Sequence, residues 1–406
     1  MASLSLWTLL LSVAMLRLGH GLSGSLVSVQ SNAAEFGTDV TGFVMAGYSA
    51  GLLISTFVAP RLIKSVGHVR TFAGLASIVS TAVLLFPLWV NPLFWFLLRV
   101  ASGLCVSGMY IVCESWLNTQ STNRNRGQVL SVYMIVTYGS LGLGQLLLNV
   151  TDESGYVRFI LVSCLLSMSL VPLILLPSQA PSVEGARGVS VEEIWRASPL
   201  AVVGVLACGL GQSAFFALAA VFGLSRGLPL VYVSFMKALP PIGVIFSQYP
   251  IGWISDRFDR RTIIMLLSLL AAIVSAITLA GGYYLSRLLL ISLVTAFGVL
   301  SLPIYSLVIA HANDHLQKNQ VLGASAKLVM LYGVGSIIGP ILVGAIMRRI
   351  GGDGFLIYMI VVHGALAAFA LWRGWRRPEH LKAQGREVMT VSPVTTPSAQ
   401  PAIAGE

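Results

Sequence analysis

A chain of 406 residues that is 56% hydrophobic and only 10% charged excludes a soluble domain, in which charged residues average about a quarter. The net charge of +10 does not point to nucleic acid, because the basic residues stand in short stretches between apolar runs. There they read as topology determinants and contacts to anionic lipid, and Cys105, Cys113, Cys164 and Cys208, all inside apolar runs without metal or redox spacing, read as small buried side chains.

Taken in order, the apolar runs predict twelve spans of membrane-crossing length: 7–30, 41–60, 71–90, 92–117, 128–150, 157–177, 200–225, 230–254, 262–284, 286–310, 321–347 and 354–375. The first lacks a basic leading region and outruns a signal peptide, so it reads as a retained span. The longest polar interruption, Pro177 to Pro199, divides the spans six and six. The domain reading is therefore an N-terminal six-helix bundle (1–177), a cytoplasmic central loop (178–199), a C-terminal six-helix bundle (200–377) and a disordered, Pro-, Thr- and Ala-rich cytoplasmic tail (378–406). Of the 25 Lys and Arg residues, sixteen flank the even-numbered loops and the tail, five the odd-numbered loops, and four lie inside spans. Both termini are expected in the cytoplasm.

The halves repeat one another. A shift of 192 residues lays Gly19-His20 on Gly211-Gln212, Phe43 on Phe235, Gly51 on Gly243 and Ser55 on Ser247. Shifts of 194 and 195 lay Tyr138-Gly139 on Tyr332-Gly333, Tyr110 on Tyr305 and Asn118 on Asn313. The matches fall in one order with little drift, as parallel repeats do.

Between spans 8 and 9 lies Gly252-Trp253-Ile254-Ser255-Asp256-Arg257-Phe258-Asp259-Arg260-Arg261, read as a tight polar hinge. Asp256 ends a helix, where the macrodipole disfavours a carboxylate, so it is expected to face another helix start or a neighbouring arginine. The pattern Gly-x-x-x-Asp-Arg-x-x-Arg-Arg resembles the signature loop of the major facilitator superfamily, except that the family usually has Gly where Asp259 stands. The copy in the first half, Pro60 to His68, is degenerate, with Lys64 in the place of Asp256. Glu114-Ser-Trp-Leu-Asn118, Pro303-Ile-Tyr305-Ser-Leu and His311-Ala-Asn-Asp314 resemble an uncharacterised bacterial subgroup of that superfamily. The resemblance implies an all-α integral membrane protein: twelve transmembrane helices in two pseudo-symmetric six-helix bundles, spans 1, 4, 7 and 10 lining a central cavity.

Ionisable residues inside spans are costly and point to function. Arg17 and His20, three apart, share a helix face able to hold an anionic group or move a proton. Gln212, the repeat mate of His20, is a candidate substrate contact. Arg99, in Arg99-Val-Ala-Ser-Gly103, resembles the superfamily's fourth-span arginine, which implies a part in proton coupling; an anchor near the interface is the rival reading. Glu114 reads as a gate paired with Arg70, Arg124 or Arg126, or as a proton carrier. Lys237 precedes Pro240-Pro241, which should break or bend span 8. Lys327 and His363 complete the set. Four fixed cations against one carboxylate hint at an anionic substrate.

Span 11 carries Gly335-x-x-x-Gly339-Pro340-x-x-x-Gly344, a small-residue face with a proline, while span 5 has Gly139, Gly142 and Gly144 but no proline. His311, Asp314 and His315 mix metal-ligand types at the end of span 10 but read as a polar helix end, and no metal or cofactor is expected. The overall reading is a monomeric, multi-pass secondary transporter of the bacterial inner membrane and not an enzyme. It is expected to move a small organic solute, with an anion favoured by the buried cations, by alternating access driven by a proton gradient, with lipid and substrate as its partners and no nucleic acid. Gly252, Asp256, Arg257, Arg260, Arg261 and Lys64 would form a conformational latch. Proton-driven efflux of amphipathic compounds is the alternative within transport; a non-transporting receptor or membrane enzyme is the alternative outside it.

Overall fold

The computed structural model describes residues 2–120, 126–150, 156–174, 190–316 and 320–376. Twelve stretches of helix are long and apolar enough to cross a membrane: spans 1 (Leu6–Ala33), 2 (Thr38–Val66), 3 (His68–Leu88), 4 (Pro92–Leu117), 5 (Gln128–Asn149), 6 (Tyr156–Ile174), 7 (Pro199–Ser225), 8 (Leu230–Arg257), 9 (Arg260–Gly281), 10 (Arg287–Asp314), 11 (Gly323–Ile350) and 12 (Asp353–Trp375). The apolar runs locate each of them to within a few residues. The predicted tail, together with Arg124, Arg187, Lys318, Arg377, Lys382 and Arg386, lies outside the described residues.

Three local expectations are corrected. The signature stretch is not a hinge: span 8 stays helical through Arg257, leaving only Phe258 and Asp259 as linker. Pro240 and Pro241 do not break span 8, which is one helix from Leu230 to Arg257. The break falls instead in span 10, at Leu302-Pro303 between helices Arg287–Ser301 and Ile304–Asp314. The central segment also folds in part. Helix Val191–Ala197 starts with a reciprocal capping box between Ser190 and Glu193 and buries Ile194.

The sequence repeat is a repeat of packing. Spans 1 and 5, 1 and 6, 2 and 4, 3 and 4, and 3 and 6 pack together, and so do their mates 7 and 11, 7 and 12, 8 and 10, 9 and 10, and 9 and 12. The closest approaches recur as well. A Cβ on Gly144 would lie 2.4 Å from the Leu18 carbonyl oxygen, and one on Gly339 would lie 2.4 Å from that of Leu210. Gly103 faces the backbone of Tyr48, and its mate Gly298 faces Pro240. In lipid, helices associate through such close backbone contact, because apolar side chains gain little by leaving hydrocarbon.

The halves meet mainly through span 2 with 11 and span 5 with 8, and span 7 also touches spans 1 and 2. The glycine face of span 11 is divided between them: Gly335 and Gly339 meet span 7, whereas Gly344 meets the Thr38 carbonyl of span 2. Polar links between the halves cluster at the end away from the termini. Thr38 Oγ1 donates to the Gly344 carbonyl at 2.9 Å, Asn149 Nδ2 to Ser234 Oγ at 2.6 Å and Ser28 Oγ to the Ala217 carbonyl at 2.7 Å. Arg348 stands 3.6 Å from Asp39 at the same end.

Candidate functional site

Beneath those links, at mid-depth, lies a cavity of about 130 Å³. Spans 1, 2, 4 and 5 of the first half and spans 7, 8, 10 and 11 of the second contribute its walls. Five residues singled out in the sequence meet there: Arg17, His20, Arg99, Gln212 and Lys237. None of its lining residues is Asp or Glu.

Each charge is placed by its own helix. Arg17, 2% exposed, stacks its guanidinium 4.0 Å from the ring centroid of Tyr110. Its Nε and Nη2 have no hydrogen-bond partner among the described residues. Arg99, 4% exposed, lies 4.9 Å over the ring of Tyr48, which also holds the His20 ring at 4.9 Å. The aromatic faces supply negative potential without supplying a carboxylate. Lys237 comes from the opposite half, 1% exposed, and donates to the Phe216 carbonyl at 2.7 Å, which leaves its other two ammonium hydrogens for the cavity. Arg99 and Lys237 face one cavity from opposite halves, and His20 lines it with them. Arg99 is therefore a cavity residue rather than an anchor at the interface.

Gln212 lines the cavity, but its amide is occupied. Its Nε2 donates to the carbonyls of Ser301 and Leu302 at 3.4 and 3.3 Å, across the break in span 10, and Tyr332 donates to its Oε1 at 3.3 Å. It ties spans 7, 10 and 11 together. Sequence reasoning missed Tyr48 and Tyr110 as supports for the arginines. Tyr138 and Tyr332 also face the cavity, and their recurrence in the repeat was the available signal.

Other candidates lie elsewhere. Glu114 is wholly buried outside the cavity lining, where Tyr133 donates to its Oε1 at 2.8 Å. Arg70 is exposed, and the side chains of Arg124 and Arg126 lie outside the described residues. His363 is held by Ser301 Oγ at 2.7 Å and the Met359 carbonyl at 3.0 Å, within the second half. Lys327 is half-buried and is not among the cavity residues.

The signature stretch forms an ion-pair cluster within the second half. Arg260 bridges Asp256 at 2.6 Å and Asp314 at 2.7 Å, so the neighbouring arginine is what Asp256 faces. Arg261 pairs with Asp259 at 3.2 Å and reaches the Arg373 carbonyl at 3.4 Å, and Arg257 stacks on Trp253 at 3.5 Å. Gly252 is buried among these residues, whereas Lys64 is exposed. Asp259 also explains its departure from the family pattern. Its mate Gly67 turns the chain at φ +85°, which favours glycine, but Asp259 sits at φ −57° and caps span 9 by accepting from Arg261 N at 3.0 Å.

The family model of the Major Facilitator Superfamily matches residues 9–299 and 233–403. The chain belongs to this superfamily. Among its relatives, the uncharacterized MFS-type transporter YE1530 of Yersinia enterocolitica is 25% identical over 379 residues, covering 92% of this chain and 96% of the relative. The uncharacterized MFS-type transporter YcaD of Escherichia coli is 25% identical over 355 residues, 87% of this chain and 91% of the relative. The fold is similar to the crystal structure of nucleoside transporter NupG (TM-score 0.73, 13% identity, 91% of this chain and 98% of that one). It is also similar to a bacterial homolog of the human lysosomal transporter Spinster, inward-facing and unoccupied (TM-score 0.69, 12% identity, 91% and 95%). Membership makes the chain a multi-pass membrane transporter of small molecules and not an enzyme.

Proposed function

We propose that this superfamily member carries a small organic anion with an apolar body, by alternating access around the cavity between its halves. One observation carries the reading. Arg17 and Arg99 on one wall and Lys237 on the other are buried at a cavity with no carboxylate among its lining residues. A buried cation is costly unless an anion meets it. Met45, Leu52, Leu141, Phe216, Leu302 and Pro340 supply the apolar surface for the body of the solute.

The distribution of Lys and Arg supports an inner-membrane orientation with cytoplasmic termini. In that orientation the end where the halves are joined faces away from the cytoplasm, which supports an inward-facing reading of the arrangement. The test is a thermal-shift panel on the purified full-length protein. Phthalate, succinate and inorganic phosphate serve as anions, benzamide and choline as neutral and cationic controls. Stabilisation by at least one anion and by neither control is the expected result; stabilisation by choline alone would refute it.

A proton-coupled form of this reading has support of its own. Glu114 is a buried carboxylate on span 4, one turn from the Tyr110 that carries Arg17. In this form an inward-directed proton gradient accelerates phthalate uptake into proteoliposomes, and Glu114→Gln removes that acceleration.

A further inference from the structure

We infer that the carrier works as an anion exchanger: the cavity crosses the membrane with an anion inside and does not cross empty. The inference rests on the anion reading above and commits to a coupling that needs no proton.

Alternating access requires the halves to part at the end away from the termini and to close at the other, with the cavity sealed in between. Arg17 and Arg99 move with one half and Lys237 with the other. Arg99 and Lys237 already line one cavity in the arrangement observed. Sealing the cavity removes water, and with it the screening that makes their repulsion tolerable. The protein's own compensation falls short. Glu114 is one carboxylate set outside the cavity lining, bound by Tyr133, against three basic side chains at the cavity. The phenol rings beneath Arg17 and Arg99 attract cations but carry no net charge.

Lys237 differs from the arginines in its support. Its ammonium is held by one backbone carbonyl, with no ring beneath it among the described contacts. An anion reaching from Lys237 to Arg99 or Arg17 converts repulsion between the walls into attraction. It thereby contributes the differential binding that a conformational change requires. Gain of a proton has no such effect, because it adds positive charge. Each passage in one direction then needs an anion, and so does each return.

Two measurements test this on the full chain. Proteoliposomes loaded with radiolabelled phthalate are diluted into zwitterionic buffer with or without external phthalate. Efflux at least tenfold faster with phthalate outside supports exchange. Equal rates would overturn it, while a thermal shift with phthalate would leave the anion reading standing. The second measurement needs no substrate. Spin labels at Val66→Cys and Phe258→Cys, exposed at the termini ends of spans 2 and 8, report closure by pulsed dipolar distances, with the exposed Cys164 changed to Ser. The empty protein should show one long distance, and Arg99→Met with Lys237→Met should add a shorter one. A shorter population already present in the empty parent protein would sink the inference, whichever anions bind.

Discussion

The two halves share a packing plan and divide the chemistry. Close approaches recur at equivalent positions, Gly144 on Leu18 and Gly339 on Leu210, because every helix in lipid meets its neighbours through the same kind of contact. The charged residues of the cavity do not recur. The first half brings Arg17, His20 and Arg99 to the cavity, and the second brings Lys237 and a Gln212 whose amide is already bonded within that half. At the termini end the contrast reverses. The second half holds the Asp256–Arg260–Asp314 cluster, while the first offers the exposed Lys64 where the carboxylate would stand. Packing is thus common to both halves, and charge is what distinguishes them.

Breaking the common part should hurt both halves alike, and most severely. Gly144→Val and Gly339→Val each drive a side chain onto a backbone carbonyl that cannot yield. Each should cost ~3 kcal/mol or more, the upper end of overpacking. Loss of monodisperse protein after detergent extraction, equally for both variants, is the readout; tolerance at either site would show that the repeat is not structural there.

Breaking the distinct part should separate the halves. Arg17→Met should weaken phthalate binding by about 100-fold, in line with roughly 1.5–3 kcal/mol for a charged hydrogen bond. In the second half, Gln212→Met, at the repeat mate of His20, should lower thermal stability while changing affinity by less than about threefold, since its amide ties helices together. Isothermal titration and thermal melts on both variants check the split. A smaller step asks how Arg17 is held. Tyr110→Leu should cost about tenfold in affinity through the lost ring, roughly 1 kcal/mol or somewhat more, whereas Tyr110→Phe keeps the ring and should bind almost normally.

The sequence reading reached the fold further than the site, for physical reasons. Twelve apolar runs and a drifting 192–195-residue offset are properties of long stretches, and single residues cannot disguise them. Arg17, His20, Arg99 and Lys237 were legible because a charge in hydrocarbon is conspicuous. Their shared cavity was not, because the rotation of each helix depends on its neighbours. Pro240-Pro241 and Pro303 show the limit. The pair sits in an unbroken helix with Pro240 packed on Gly298, whereas the single Pro303 follows a break whose carbonyls Gln212 binds. Proline removes the same donor in each case. The difference lies in whether a partner waits nearby to satisfy the freed groups.

The least drastic change tests the charge cluster. Asp256 and Arg260 form a partly exposed pair one turn apart, and such pairs are worth only ~0.2–1 kcal/mol. Asp256→Asn should therefore leave thermal stability within about a degree and phthalate affinity unchanged, because the cavity is distant. Arg260 would still hold Asp314, so the end of span 10 keeps its attachment to the start of span 9. What changes is the charge presented at the termini end of span 8, which the other half meets only if the carrier closes there. Turnover in phthalate exchange should shift by about two- to fivefold, a small fraction of a kcal/mol up to about 1 kcal/mol in the barrier. Lys64→Asp, which installs a carboxylate at the matching place in the first half, should shift turnover by a comparable amount. If both variants exchange at the parent rate, the cluster serves only to fasten spans 8, 9 and 10, and the asymmetry at this end has no part in closure.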